Sequence, residues 1–151
     1  MSVKVIALGN CLMGNDMLGL RVLENIDRRL KAYNIETFIG ETDFEYCLSV
    51  INNNDLVFVI DAAILGGSLG ELTIIPIDAY PSQIDGYTQH VFSLLDLISL
   101  YHKDINGYLI GIEVKNIDYS LKLSIDLQLL LKNISSNVLH NILKRIPQEP
   151  L

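Results

Sequence analysis

The chain is poor in cysteine, in proline and in positive charge. Its 151 residues include 2 cysteines and 4 prolines, and 18 Asp and Glu outweigh 11 Lys and Arg, for a formal net charge of -7. Two cysteines cannot staple a disulfide scaffold, and free thiols at Cys11 and Cys47 suit a reducing compartment. The acidic balance argues against nucleic acid, whose phosphates need a basic footprint. No apolar run reaches the ~18 to 20 residues that span a bilayer. The N-terminus lacks a basic region and a small-residue cleavage site, because Val3 to Leu8 leads straight into a loop. These absences point to a cytoplasmic protein that partners neither membrane nor nucleic acid. Linkers, repeats and low-complexity stretches are missing as well. The length fits one domain, 1–151, with a core able to support itself.

What is present is organised around the first twenty residues. Val3 to Leu8 is mostly apolar and partly β-branched, which suits a buried strand. Gly9-Asn10-Cys11-Leu12-Met13-Gly14-Asn15-Asp16 reads as a tight loop. Leu18, Val22, Leu23, Ile26 and Leu30 then recur at helical spacing. This loop lies where open α/β sheets put their sites, beyond the carboxyl end of a strand. It is not a nucleotide cradle. Gly9 and Gly14 do not fit G-x-G-x-x-G, and no Gly-Lys-Ser/Thr follows. An acid at the helix mouth would also repel a phosphate. Asn15 and Asp16 have two readings: caps at the positive helix end, or, for Asp16, a ligand held at the rim of the sheet.

Further along, the first helix is expected from Asp16 to Tyr33 and a second strand over Ile35 to Ile39. Asp43 can cap a helix through Val50, stopped by Asn52-Asn53-Asn54. Leu56 to Ile60 is a solid apolar run and the best central strand, ending at Asp61. Glu71 to Ile77 is another strand, and Pro76 places it toward an edge. The return from Ile60 is too short for a helical crossover, which allows an antiparallel pair between these two strands. Pro81 to Gln89 is a polar loop, and His90 opens a helix with Val91, Leu94, Leu95 and Ile98 on its apolar face. Tyr108 to Val114 is a strand, and Ser124 can cap a last helix to Arg145. That helix is apolar on more than one stripe. Either it is buried on two sides or it offers a face to a partner, such as a second copy in a homo-oligomer. The order predicts a three-layer α/β/α sandwich with a mainly parallel sheet.

Three candidate ligands fall at equivalent places in this architecture. Asp16 follows the first strand, Asp61 the central strand, and His90 stands at a loop-to-helix junction. The carboxyl ends of parallel strands line one crevice, so the three could meet there. Two carboxylates and an imidazole form a borderline-hard set suited to nickel, zinc or iron, with positions left open for a substrate.

The same residues carry a family resemblance. Gly9-Asn10-x-Leu12-x-x-Asn15-Asp16-x-x-Gly19-x-Arg21-Val22 resembles the N-terminal signature of the hydrogenase maturation endopeptidases. Gly40-Glu41-Thr42 is similar to the family's Gly-Gly-Thr loop, and Val59-Ile60-Asp61-Ala62 to its strand-end Asp-Ala. Gln89-His90 with Leu94-Leu95, then Ile110-Gly111-Ile112 and Leu123-Ser124, resemble the later motifs in order. The resemblance implies an aspartyl-type endopeptidase that trims the C-terminal extension of a nickel-iron hydrogenase large-subunit precursor. It implies metal contacts at Asp16, Asp61 and His90, and substrate contacts at Gly9, Asn10, Gly40, Glu41 and Thr42. It also implies that the nickel belongs to the precursor and that no organic cofactor is needed. Asn15 stands where the family usually has an acid, and Met17 where it often has Gly. Such departures leave room for a non-hydrogenase substrate. A non-catalytic metal- or substrate-binding module on the same scaffold is the rival reading.

The remaining conspicuous residues have plainer readings. Cys11 and His90 could be drawn as a cysteine-protease pair, but nothing supplies an orienting group or an oxyanion hole. Cys11 is therefore expected to be a small buried side chain. Cys47 is expected in the core, His102 and His140 on the surface. Tyr80 and Tyr87 could line the cleft before His90.

Overall fold

A computed structural model of the protein describes residues 1–79 and 89–147. Its strands are β1 (Val3–Leu8), β2 (Glu36–Glu41), β3 (Leu56–Ala63), β4 (Leu72–Pro76) and β5 (Asn106–Glu113). Its helices are α1 (Leu18–Lys31), α2 (Phe44–Val50), α3 (Gln89–Leu100) and α4 (Ile125–Leu143). The strands form one five-stranded sheet in the order β2-β1-β3-β5-β4, parallel except for β4.

Strand period decides the layers. Successive side chains alternate faces, so a strand buried on both sides is apolar at every position. Val5, Ala7, Phe58, Ile60, Ile110 and Ile112 pack with α1 and α4 on one face. Ile6, Leu8, Val57, Val59 and Leu109 pack with Cys47 of α2 and Val91, Leu94, Leu95 and Ile98 of α3 on the other. The result is the expected three-layer α/β/α sandwich. From β1 the chain goes to β2 on one side and on to β3 on the other. That reversal opens a crevice at the carboxyl ends of β1 and β3.

The elements differ from expectation in instructive ways. β4 is the antiparallel edge strand, but its partner is β5, with Leu72 opposite Ile112 and Pro76 opposite Tyr108. β5 is buried over its last five residues and takes the internal place beside β3, whereas half-buried β4 ends on a proline that cannot donate to a ladder. β3 runs on through Asp61 to Ala63, so Asp61 sits inside the strand. The first helix is preceded by a 3-10 turn, Gly14–Met17, and starts only at Leu18. Asp16 caps neither segment, since no side-chain hydrogen bond caps either start. Asp43 and Ser124 do cap α2 and α4, accepting from Tyr46 N and Leu127 N. α4 buries one stripe, Leu127, Ile134, Val138 and Ile142, while Ile125 and Leu129 face outward at 74% and 77% exposure. Among the described residues no helix is long and apolar enough to cross a membrane.

Candidate metal centre

Each of the three candidate ligands is placed by a different element. Asp61 continues the β3 face of Val57 and Val59, so its carboxylate points toward α3 and is fully buried. Its Oδ1 accepts from Ala62 N at 2.9 Å. His90 stands in the first turn of α3, which the burial of Val91, Leu94, Leu95 and Ile98 seats against that face. The imidazole Nδ1 lies 3.2 Å and 3.4 Å from the two Asp61 carboxylate oxygens. The Phe44 ring lies beside it, with 6.2 Å between ring centroids.

Asp16 reaches the same place over the rim. Gly9 has φ +145, and a Cβ there would fall 2.1 Å from the Asp16 carbonyl oxygen, so only glycine lets the loop fold back this tightly. Asn10 N then donates to Asp16 Oδ2 at 2.8 Å. That oxygen lies 3.7 Å from His90 Nε2. Asp16, Asp61 and His90 thus offer one ligand atom each, all within 4.8 Å of one another. Ligand atoms sharing one first-row ion sit roughly 3 to 4 Å apart, so an ion would draw this set together by about 1 Å.

The electrostatics follow from burial. Desolvation raises the Asp16 carboxyl above its ordinary range, opposed by the Asn10 amide and by His90, with Asp61 adding repulsion. The hydrogen bond to Asp61 raises His90, against desolvation and with help from both carboxylates. The imidazole therefore holds its proton more firmly than a free one, and a metal ion would have to displace that proton.

The other sequence candidates have separate tasks. Gly9 N donates to Glu41 O at 3.0 Å, which ties the first loop to the end of β2. Asn10 Oδ1 accepts from Leu12 N at 2.9 Å and shapes the loop. Gly40 is buried, and a Cβ there would lie 2.4 Å from Cys47 Sγ, so glycine lets α2 pack against the end of β2. Glu41 and Thr42 are exposed at the rim, Glu41 at φ 51. Cys11 is exposed, not buried: the loop turns its middle outward so that its ends can close on Asp16. Cys47 is buried, and that burial pushes its thiol up to about 11, which makes it a packing group and not a nucleophile. His102 and His140 are exposed. Tyr80 and Tyr87 lie outside the described residues.

Two residues have supporting roles that the sequence reading did not assign: Asn15, read as a cap, and Glu113. Asn15 is buried, accepts from Ser124 N at 2.8 Å and donates to Asn116 O at 3.1 Å, so it clamps the 3-10 turn to the start of α4. Glu113 is buried and accepts from Leu65 N and Gly67 N, which fixes the loop after β3. An acid inside the apolar run Ile110 to Val114 was the signal available for Glu113.

The fold and the donor set together define an α/β protein with two carboxylates and an imidazole gathered at the rim of its sheet. The model of the hydrogenase maturation protease family (HycI) matches residues 20–145. The chain belongs to that family of peptidases. Asp61 and His90 fall within the matched span, and Asp16 precedes it. No curated protein sequence gives a significant match. Solved structures give the same fold at low identity. The hydrogenase maturating endopeptidase HybD from E. coli is 18% identical, with TM-score 0.74 over 95% of this chain and 93% of that one. The [NiFe] hydrogenase maturation protease HybD from Thermococcus kodakarensis is 22% identical, with TM-score 0.69 over 93% and 99%. HycI from Thermococcus kodakarensis KOD1 is 19% identical, with TM-score 0.63 over 93% and 89%.

Proposed function

We propose that the protein removes the C-terminal extension of a [NiFe] hydrogenase large-subunit precursor and grips the precursor through its nickel. The observation that carries this reading is the meeting of Asp16, Asp61 and His90 at one point of the sheet rim. A side of three donors leaves coordination positions open, and in this reading the precursor's own ligands fill them. The nickel is then part of the substrate. It supplies a fixed point from which the scissile peptide is positioned, and a Lewis acid near it. The chain's own contribution is orientation: His90 is held by Asp61, Asp16 by the Asn10 amide, and both by buried packing. In this reading one of these carboxylates takes the proton of the attacking water, as in an aspartyl-type peptidase.

The test is incubation with a nickel-loaded precursor, followed by mass measurement of its C-terminus. The expected result is one cut that depends on nickel in the precursor. A protein that binds nickel tightly but leaves every such precursor intact is a binding module instead. The isolated protein is expected to hold nickel weakly and to purify largely without it.

A further inference from the structure

The two edges of the sheet are protected differently. β4 ends on Pro76 and runs into a 3-10 turn, Ile77–Ala79, so that edge is blunted. β2 has neither the proline nor the turn, and the one irregularity in its pairing with β1 falls at its far end, between Ile39 and Glu41. Its sequence, Glu-Thr-Phe-Ile-Gly-Glu, contains neither proline nor lysine, and its hydrogen-bonded neighbour is β1 alone. Such an edge is a template for another extended chain.

Two further observations tie this edge to the metal donors. A shallow groove of about 440 Å³ opens at its start, lined by Lys31, Asn34, Ile35, Glu36, Thr37 and Phe38. At its other end Glu41 O accepts from Gly9 N at 3.0 Å, and the next amide, Asn10 N, donates to Asp16 Oδ2 at 2.8 Å. The edge therefore leads from the groove to the candidate centre through the backbone of two residues.

We propose that β2 is the docking edge for the precursor's C-terminal extension, which adds to the sheet as a sixth strand. The inference rests on the endopeptidase reading above. The scissile bond must lie at the rim, and the residues after it must run down β2 toward the groove, so the added strand is antiparallel to β2. Six residues cover the edge at about 3.4 Å each, roughly 20 Å in all. The occupant is an extended peptide because the edge offers alternating amides and carbonyls, which only another backbone matches. Glu36 and Glu41 are exposed at its two ends, so a neutral or basic segment fits and an acidic one is repelled. Main-chain recognition of this kind reads the shape of the extension more than its sequence.

Amide hydrogen exchange on the full-length protein tests this, with a synthetic peptide of the precursor's last twenty or so residues as probe. Cleavage of the nickel-loaded precursor is measured alongside. Every second amide between Glu36 and Glu41 is expected to exchange at least about tenfold more slowly with the peptide bound, the worth of one to two main-chain hydrogen bonds. N-methylation of alternate residues of the extension, or Ile39→Lys on the edge, is expected to raise KM about tenfold and leave kcat in place. Cleavage without protection in β2 overturns the docking edge and spares the endopeptidase reading. Protection without cleavage of any precursor supports the edge and overturns hydrolysis. Neither protection nor cleavage overturns both. The exchange measurement uses the wild-type chain, so a folding defect in Ile39→Lys does not blunt it.

Discussion

The two ends of the sheet bury charge in opposite ways. At the amino end, Lys4 of β1 meets Asp55, just before β3, at 2.7 Å, with both side chains 4% exposed. Lys4 also donates to Val50 O at 2.6 Å, and Asp55 accepts from Asn52 N at 2.7 Å. One cation faces one anion, and backbone groups take the remaining hydrogen bonds. At the carboxyl end the same neighbouring strands lead to Asp16 and Asp61, which converge on a single imidazole. Here two carboxylates share one imidazole, all three within 4.8 Å of one another, with no lysine or arginine among them. A closed pair holds a fold together, whereas two carboxylates crowded on one imidazole leave donor atoms that a cation could take. The difference sets a closed ion pair against a candidate site within a single β1–β3 pair.

The largest effect is expected at the closed end. Lys4→Ala strands a buried carboxylate, and breaking such a pair costs about 3 to 5 kcal/mol. Urea unfolding should show the loss, while the fraction that remains folded should cleave precursor at the normal rate. A cost under about 1 kcal/mol would mean that Asp55 is not closed off from water. Asp61→Asn should do the reverse. Cleavage should fall by about 100-fold or more, as expected when a ligand that also orients His90 is lost, with little change in the unfolding midpoint. If Asp61→Asn unfolds the protein as Lys4→Ala does and the folded part still cleaves, the two ends are alike and the site is misplaced. Asn15→Ala lies between these extremes. It removes the clamp to Ser124 and Asn116, and should cost about 1 to 3 kcal/mol by leaving buried groups unpaired. Cleavage should drop more mildly, because the turn carrying Asp16 loosens without losing its carboxylate.

Much of this was legible in the sequence where local chemistry decides. The run Leu56 to Ile60 could only be a central strand, and Asp43 and Ser124 announced their helices as caps. Asp16, Asp61 and His90 could be grouped because parallel strands deliver their carboxyl ends to one rim. What was not legible depends on distant parts of the chain. β4 pairs with β5 because β5 takes the place beside β3, and sheet order is a competition between strands far apart in sequence. Asn15 looked like a cap because Asn before an apolar helix usually is one. Its partners, Asn116 and Ser124, come from the far side of the fold. Cys11 looked buried because the loop is short and partly apolar, yet closing Gly9 over Asp16 turns it to solvent.

The smallest effect is also the sharpest test of the contrast between the two ends. A carboxyl raised in the folded state binds its proton more tightly there than in the unfolded chain. Folding therefore loses stability as pH climbs from the unfolded value near 3.8 through the raised one, and the penalty is full above it. His90, also raised, stabilises the fold fully below its unfolded value near 6.5, and that gain fades as pH rises through its folded value. Both groups pull the metal-free protein the same way, toward lower stability at higher pH. Asp16→Asn removes the first contribution and keeps an oxygen to accept from the Asn10 amide. The variant and the wild type should match in acid, and by pH 7 the variant should be at least as stable, although its cleavage of precursor is largely lost. Urea midpoints across pH 4 to 8 would show this. A variant that is less stable at neutral pH would make Asp16 a structural anion like Asp55, and the contrast between the two ends would fail.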